Sequence, residues 1–313
     1  MRYLLINVIA ILTMSGLLSC IDNDLPENTP SPEAVLMDIR TVMVPENASL
    51  EEKVGGTIRE FHVGDSIGLY LPDYFWGNQF VYTYWDQYAW IMSEAVWLFS
   101  EPQRVFAFYP YRYNEHGNFF LYDVVVEHTS QTDYMYGWPY EPYVNIDQPH
   151  AFLLMHHALS LIQFRFVKND YAAGMGHIQR ITIRNKEGGK HLHSKGIMHF
   201  EFEMEGAIET LDGYYEEATV YPVDLVIPNP YEDDNELLSV MVLPMDPIIN
   251  DGDVVFEIQI DGAVYTWPVP AGVIWEKGKK YTYLAEMVAA GSNLKSALNQ
   301  GNINIKIIQT AEW

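Results

Sequence analysis

Apolar and polar residues alternate in short runs along most of this chain, and the period is two rather than 3.6. Leu159 to Val167 is a clear example: Ile162, Phe164 and Phe166 fall on one face and Gln163 and Arg165 on the other. That spacing predicts a half-buried β-strand. Phe200 to Glu205 alternates strictly, with Phe200, Phe202 and Met204 against Glu201, Glu203 and Glu205. Val254 to Ile260 and Ala263 to Trp267 flank Asp261-Gly262, a two-residue hairpin signal because both turn positions need positive φ. Further strands are predicted over Val35–Val44, Ser66–Leu71 after the Gly64-Asp65 turn, Arg104–Tyr109 before Pro110, and Phe119–Val126. Ile178–Ile183, Tyr281–Met287 and Asn302–Ile308 complete the set, and His156-His157 is expected to open the strand that follows. Helical signals are confined to Gln87–Phe99 and Ser292–Leu298. Many short strands separated by turn residues predict an all-β protein built of sandwiches.

The first residues follow a different pattern. Met1-Arg2 is followed by an almost wholly apolar run from Tyr3 to Leu18. The run is shorter than the roughly 20 residues of a membrane-spanning helix, and its flanks fit a secretory signal. It ends in Leu17-Leu18-Ser19-Cys20, a small residue directly before the only cysteine of the chain. This resembles the bacterial lipobox, in which the cysteine sulfur is acylated and the chain is cut just before it. Residues 1–19 are therefore expected to be a signal peptide and Cys20 a lipid site. Each buried CH₂ of an acyl chain contributes about 0.8 kcal/mol to anchoring. Residues 20–34 are acidic and proline-rich, as expected of a tether that cannot pack a core. About 290 residues remain, enough for one large or two medium domains. The polar stretch Lys168-Asn169-Asp170 interrupts the strands, so the expected domains are 35–167 and 168–313.

Composition narrows the function. Hydrophobic residues make up 49% of the chain, which lets a secreted domain without disulfides build a core. A formal charge of −24 opposes nucleic-acid binding and reads otherwise as solubility. No catalytic motif is found: there is no Gly-x-Ser-x-Gly, no His-Glu-x-x-His and no glycine-rich phosphate loop. No catalytic residue, cofactor or metal is expected. His191-Leu192-His193 has metal-like spacing but lies in a turn-rich stretch without a third ligand. The carboxylates Glu201, Glu203 and Glu205 read as the wet face of a strand, and Glu232–Glu236 as an acidic surface turn. Aromatic residues cluster between Tyr70 and Trp90, including Trp76, Trp85 and Trp90, and again from Tyr134 to Tyr143 around Trp138. They are either core and interdomain packing or a ligand surface for a sugar or a protein.

Several segments together resemble the fimbrillin (Mfa-like) family of Bacteroidetes. They are Phe61-His62-Val63-Gly64-Asp65-Ser66-Ile67-Gly68-Leu69-Tyr70, Val105 to Tyr111, Gln131 to Gly137, His157 to Phe164, and Trp275 to Tyr283. The closing Ile307 to Trp313 resembles the family's final strand. The resemblance implies two consecutive transthyretin-like β-sandwiches and a subunit of a type V pilus. It also implies export to the outer membrane as a lipoprotein. It further implies cleavage by a trypsin-like protease after an arginine, with Arg40-Thr41 the candidate site here, and head-to-tail assembly with like or unlike pilus subunits by strand replacement. The donor strand is expected near the C-terminus, where Ile303, Ile305 and Ile307 alternate with Asn304 and Lys306; the same stretch also reads as the closing strand of its own domain. A host glycan or protein is the expected adhesion partner. A glycan-binding lipoprotein of a polysaccharide-uptake system is the alternative from a different class.

The lipobox reading has a direct test. Cys20→Ala is expected to move the protein from the membrane fraction to soluble or unprocessed forms, read by fractionation and immunoblotting; unchanged membrane retention contradicts it.

Overall fold

The computed structural model describes residues 33–44, 52–54, 60–74, 77–111, 123–141, 143–169, 171, 174–199, 205–227, 237–288 and 303–313. Cys20, Trp76, residues 200–204, the Glu232–Glu236 turn and the Ser292–Leu298 segment lie outside them. Among the described residues there is no helix, and strands dominate.

Residues Ala34–Trp313 form one compact unit. A seven-stranded sheet runs in the order Asp38–Val44, His150–His157, Met135–Pro139, Phe106–Tyr109, Ser66–Tyr74, Gly77–Trp85, Trp90–Met92. A five-stranded sheet runs Ile303–Glu312, Lys279–Val288, Ser160–Asn169, Leu237–Val242, Glu52–Val54. It faces a second five-stranded sheet of Ala218–Val220, His177–Asn185, Val254–Ile260 and Ala263–Pro268, with Leu225–Val226 paired to His177–Asn185. A three-stranded sheet joins Ala207–Thr210, Lys195–His199 and Asp123–Glu127, and Val35–Leu36 pairs with Trp97–Leu98. The result is a β-sandwich architecture, as the period-two pattern predicts.

Three clusters of buried side chains hold these layers. One fills the seven-stranded sheet, with Ile67, Leu69, Leu71, Val81, Leu153 and Met155. A second lies between the two five-stranded sheets, with Ile162, Phe164 and Phe166 turned inward. Here Phe256 packs edge-on to Phe164 (4.9 Å) and to Tyr283 (5.1 Å) and lies parallel to Trp267 and Trp275. The third draws on both halves of the chain: Tyr70, Phe106 and Tyr136 meet Leu161, Met198, Met241 and Trp313. The Asp123–Glu127 strand pairs with Lys195–His199, so main-chain bonds also cross from the first half to the second.

Local chemistry explains most strand ends. Asp261 and Gly262 have φ of 49° and 83°, the mirror-image turn their sequence predicts. Gly68 is needed for a different reason: a Cβ there would come within 2.2 Å of the Phe108 ring on the neighbouring strand.

Four expectations need correction. Gln87–Phe99 is not a helix; the Asp86 carboxylate accepts from the Tyr88 and Ala89 amides, folding the chain into a hairpin that pairs Trp90 with Trp85. His156-His157 closes the strand His150–His157 rather than opening the next. Glu205 stands in a turn with φ 48°, not on a strand. Gln163 does not face water: it is buried, donating to Ser239 Oγ (3.1 Å) and accepting from Thr282 Oγ1 (3.4 Å). At Gln163 the strand is covered on both faces, although Arg165 further along the same face is exposed; a single strand's alternation does not reveal this.

Phe256→Ala removes the ring on which four other aromatics rest. The expected loss is about 3–5 kcal/mol, read as a lower denaturation midpoint at unchanged slope in urea unfolding.

Candidate interface site: first strand, last strand and the junction

The strand Asp38–Val44 lies at the edge of the seven-stranded sheet, paired in parallel with His150–His156. Period two sends Ile39 into the core (4% exposed) together with Met37 (3%), while Arg40 points outward. The Arg40 guanidinium stands 5.4 Å over the Phe152 ring, with its Nε 3.5 Å from Asp38 Oδ2. Asp38 also holds His150 Nδ1 at 3.1 Å. Thr41 Oγ1 accepts from Trp90 Nε1 at 3.1 Å. That bond joins the two edges of the sheet, which is curled into a half-barrel. Beside it opens a cleft of about 730 Å³, lined in part by Thr41, Phe61, Trp85 and Gln87.

At the other end of the chain, Ile303–Glu312 forms the edge of a five-stranded sheet and pairs antiparallel with Lys279–Val288. Ile305 is buried (4% exposed) and Ile303 half-buried, but Ile307 is 47% exposed. A register shift opposite Thr282/Tyr283 matches Ile307 and Gln309 to adjacent partners and skips Ile308, so the inward alternation ends there.

Between these strands the chain is held by a polar junction that sequence reasoning did not assemble. His157 Nδ1 lies 2.9 Å from Asp133 Oδ1, both side chains almost wholly buried. The Trp313 ring stacks on His157 with centroids 4.1 Å apart and planes 5° from parallel. Trp313 N–H donates to the Gly278 carbonyl, and Gly278 N–H to that of Leu159. The Gln131 amide accepts from Met241 N–H and donates to the Met241 and His128 carbonyls. The quoted segments around Gln131, His157 and Gly278 thus converge at one place. The only sequence signal for this was their separate presence. His128 bridges the halves too: its Nε2 lies 2.9 Å from the Glu216 carbonyl and its Nδ1 accepts from Leu243 N–H at 3.4 Å. Burial pushes His128 down to about 4, against the opposing pull of Glu216. Burial also takes His156 down to about 4, helped by the Lys277 ammonium and by His157.

The other candidate residues are dispersed. Trp90 is in the core, edge-on to Phe61 at 4.8 Å; Trp85 is half-buried, 5.4 Å from Trp90. Trp138 packs edge-on to Tyr136 and His156 in the shared cluster. His191 binds the Asp246 carbonyl (3.0 Å) and His193 approaches Asp212 (3.5 Å), so the two rings do not converge. Among the described residues no group of three metal-ligating side chains forms. The arrangement holds strands and edges together.

An all-β structural protein, held by sheet edges and a cross-chain junction, is thus the class that fold and site define. A family model described as fimbrillin-like matches residues 57–306. The chain belongs to the fimbrillin-like family, whose members are structural proteins of the cell surface rather than enzymes. Among solved structures it resembles a candidate cell adhesion protein from Bacteroides uniformis, at TM-score 0.59 and 14% identity over 90% of this chain and 98% of that one. A second, from Bacteroides ovatus, has TM-score 0.58 and 13% identity, with the same coverage of 90% and 98%. A fimbrial protein from Bacteroides vulgatus has TM-score 0.50 and 11% identity, over 89% of this chain and 99% of that one. At these identities the likenesses establish the fold. No curated protein sequence matches the chain.

The junction makes stability depend on pH. The folded-state pKa of His128 lies below its unfolded value of 6.5, so its contribution is complete above pH 6.5 and is lost as pH falls toward about 4. The loss amounts to roughly 3 kcal/mol over that window. His156, likewise held down to about 4, adds to the same slope. Thermal melts from pH 7 to 4 are expected to show it, and His128→Gln, which cannot titrate, is expected to reduce it and leave the part due to His156.

Proposed function

We propose that this chain is a subunit of a cell-surface fimbrium that reaches the outer membrane as a lipoprotein through Cys20 and polymerises by strand replacement. In this reading the expected domains 35–167 and 168–313 are two sandwiches of one pilin, with the boundary strand Ser160–Asn169 packed in the second core. The supporting observation is the placement of the strand Asp38–Val44. It sits at a sheet edge, buries Met37 and Ile39, and exposes the Arg40 side chain. Cutting between Arg40 and Thr41 by a trypsin-like protease frees the segment that carries Met37 and Ile39. Those two side chains account for about 3–6 kcal/mol of burial. The vacated slot along His150–Phe152 is an unpaired sheet edge over an apolar floor, which a strand from a neighbour fills by main-chain pairing. Repetition of a head-to-tail contact that does not close yields a fibre. The alternation of Ile303, Ile305 and Ile307 supports the last strand as donor, once it leaves Lys279–Val288.

Because Arg40 lies within a paired strand, the sheet edge opens locally before a protease reaches the bond. Limited trypsin treatment is expected to release the segment ending at Arg40 and to produce a ladder of oligomers, with Arg40→Ala blocking both. Ile307→Asp is the sharper test of the donor: Ile307 is exposed in the monomer, so the melting temperature is expected to hold while polymer growth stops. A cut protein that stays monomeric at high concentration contradicts strand replacement, and ladders from Ile307→Asp contradict this donor.

A further inference from the structure

The cleft beside the curled sheet edge has the make-up of a ligand site, and we propose that it binds a neutral saccharide. It is a separate matter from assembly, since the cleft is formed in the uncut chain. At about 730 Å³ it falls in the size range of small-molecule pockets. One wall is aromatic. Trp85 and Phe61 both line it, and both are braced from behind by the buried Trp90, at 5.4 and 4.8 Å. Braced rings present a fixed apolar surface, which suits the C–H face of a pyranose.

The rim is polar and supplies both donors and acceptors. Thr41 Oγ1 already accepts from Trp90, so its own O–H remains available to donate. The Gln87 carboxamide offers an oxygen and an NH₂ group; Glu60 and His62 also line the cleft, largely exposed. His62 is held in place by its main chain, whose N–H donates to Asp65 Oδ2 at 2.7 Å.

Gln87 is the observation that separates a ligand site from a surface hollow. Its φ is 94°, a conformation that glycine adopts freely and a side chain resists. The Asp86 carboxylate imposes it by accepting from the Tyr88 and Ala89 amides. Glycine would relieve the strain at no cost to the turn, yet a carboxamide stands there, on the wall of the cleft. Strain of this kind concentrates at binding sites.

Charge selects the class of sugar. Glu60 and Asp65 flank His62, Asp86 lies at the turn, and the whole chain carries −24. Uronic and sialic acids would meet a negative field, whereas neutral hexoses and N-acetylhexosamines would not.

Saturation-transfer NMR on the purified protein tests this, with methyl galactoside, methyl mannoside, N-acetylglucosamine and lactose as neutral probes and sialic acid as the acidic comparison. Transfer to one face of at least one neutral sugar is expected, with none to sialic acid. Gln87→Gly is expected to weaken that binding about tenfold, as for one lost hydrogen bond, while the melting temperature holds or rises. Trp85→Phe, which keeps an aromatic wall, is expected to reduce transfer without unfolding the protein. Failure of every neutral probe overturns the proposal. So does stronger transfer to sialic acid, unchanged binding in Gln87→Gly, or a sharp fall in that variant's melting temperature. Displacement of the sugars by a proline-rich peptide that binds the cleft more tightly reassigns it to protein recognition and overturns it as well.

Discussion

The governing constraint is that every β-sheet edge must be closed by something. A sheet edge presents unpaired main-chain donors and acceptors, and here no intramolecular disulfide can form to stiffen the molecule, because Cys20 is the sole cysteine. The seven-stranded sheet meets this by curling until Trp90 on one edge strand bonds Thr41 on the other. The strand that closes the curl is also the one whose apolar side chains, with those of Met37, plug the first core. Stability of that core and accessibility of that edge are therefore the same physical quantity.

A second constraint is the meeting of two cores. Two packed sheets joined only by a peptide would hinge. This chain instead runs a main-chain ladder between Asp123–Glu127 and Lys195–His199 and buries an Asp133–His157 pair beneath the Trp313 ring. Burying polar groups is costly unless they are hydrogen-bonded, and a pair so placed penalises any displacement of its neighbours.

The aromatic residues, numerous enough to suggest a recognition surface, are mostly spent on these two tasks. Phe164, Phe256, Trp267, Trp275 and Tyr283 form one packed nest, and Tyr70, Phe106 and Tyr136 line the shared cluster. What remains at the surface near Trp85 is a small, braced remnant beside a strained turn. Its position on the rim of the curled sheet keeps it independent of the second core.

The sequence by itself determined the class of fold and most of the strands. Period two at Ile162, Phe164 and Phe166 and the Asp261-Gly262 turn are local properties, decided by side-chain alternation and by φ. The family segments were equally legible, because each is a short run of residue types. The tertiary structure alone decided what those segments do. Asp133, His157 and Trp313 are far apart in the chain, and nothing local says that a carboxylate, an imidazole and an indole will share one buried site. Gln87–Phe99 misled because its apolar spacing fits a helix as well as a strand; the capping carboxylate of Asp86 and pairing with Trp85 settled it. Gln163 looked solvent-facing because one strand's alternation reveals only that its faces differ, not whether a second layer covers both. Ile307 looked like its neighbours Ile303 and Ile305, but it stands where the regular register ends and its side chain is 47% exposed. Register, layer order and the meeting of distant edges are properties of the assembled sheets, and they enter only when the chain has folded.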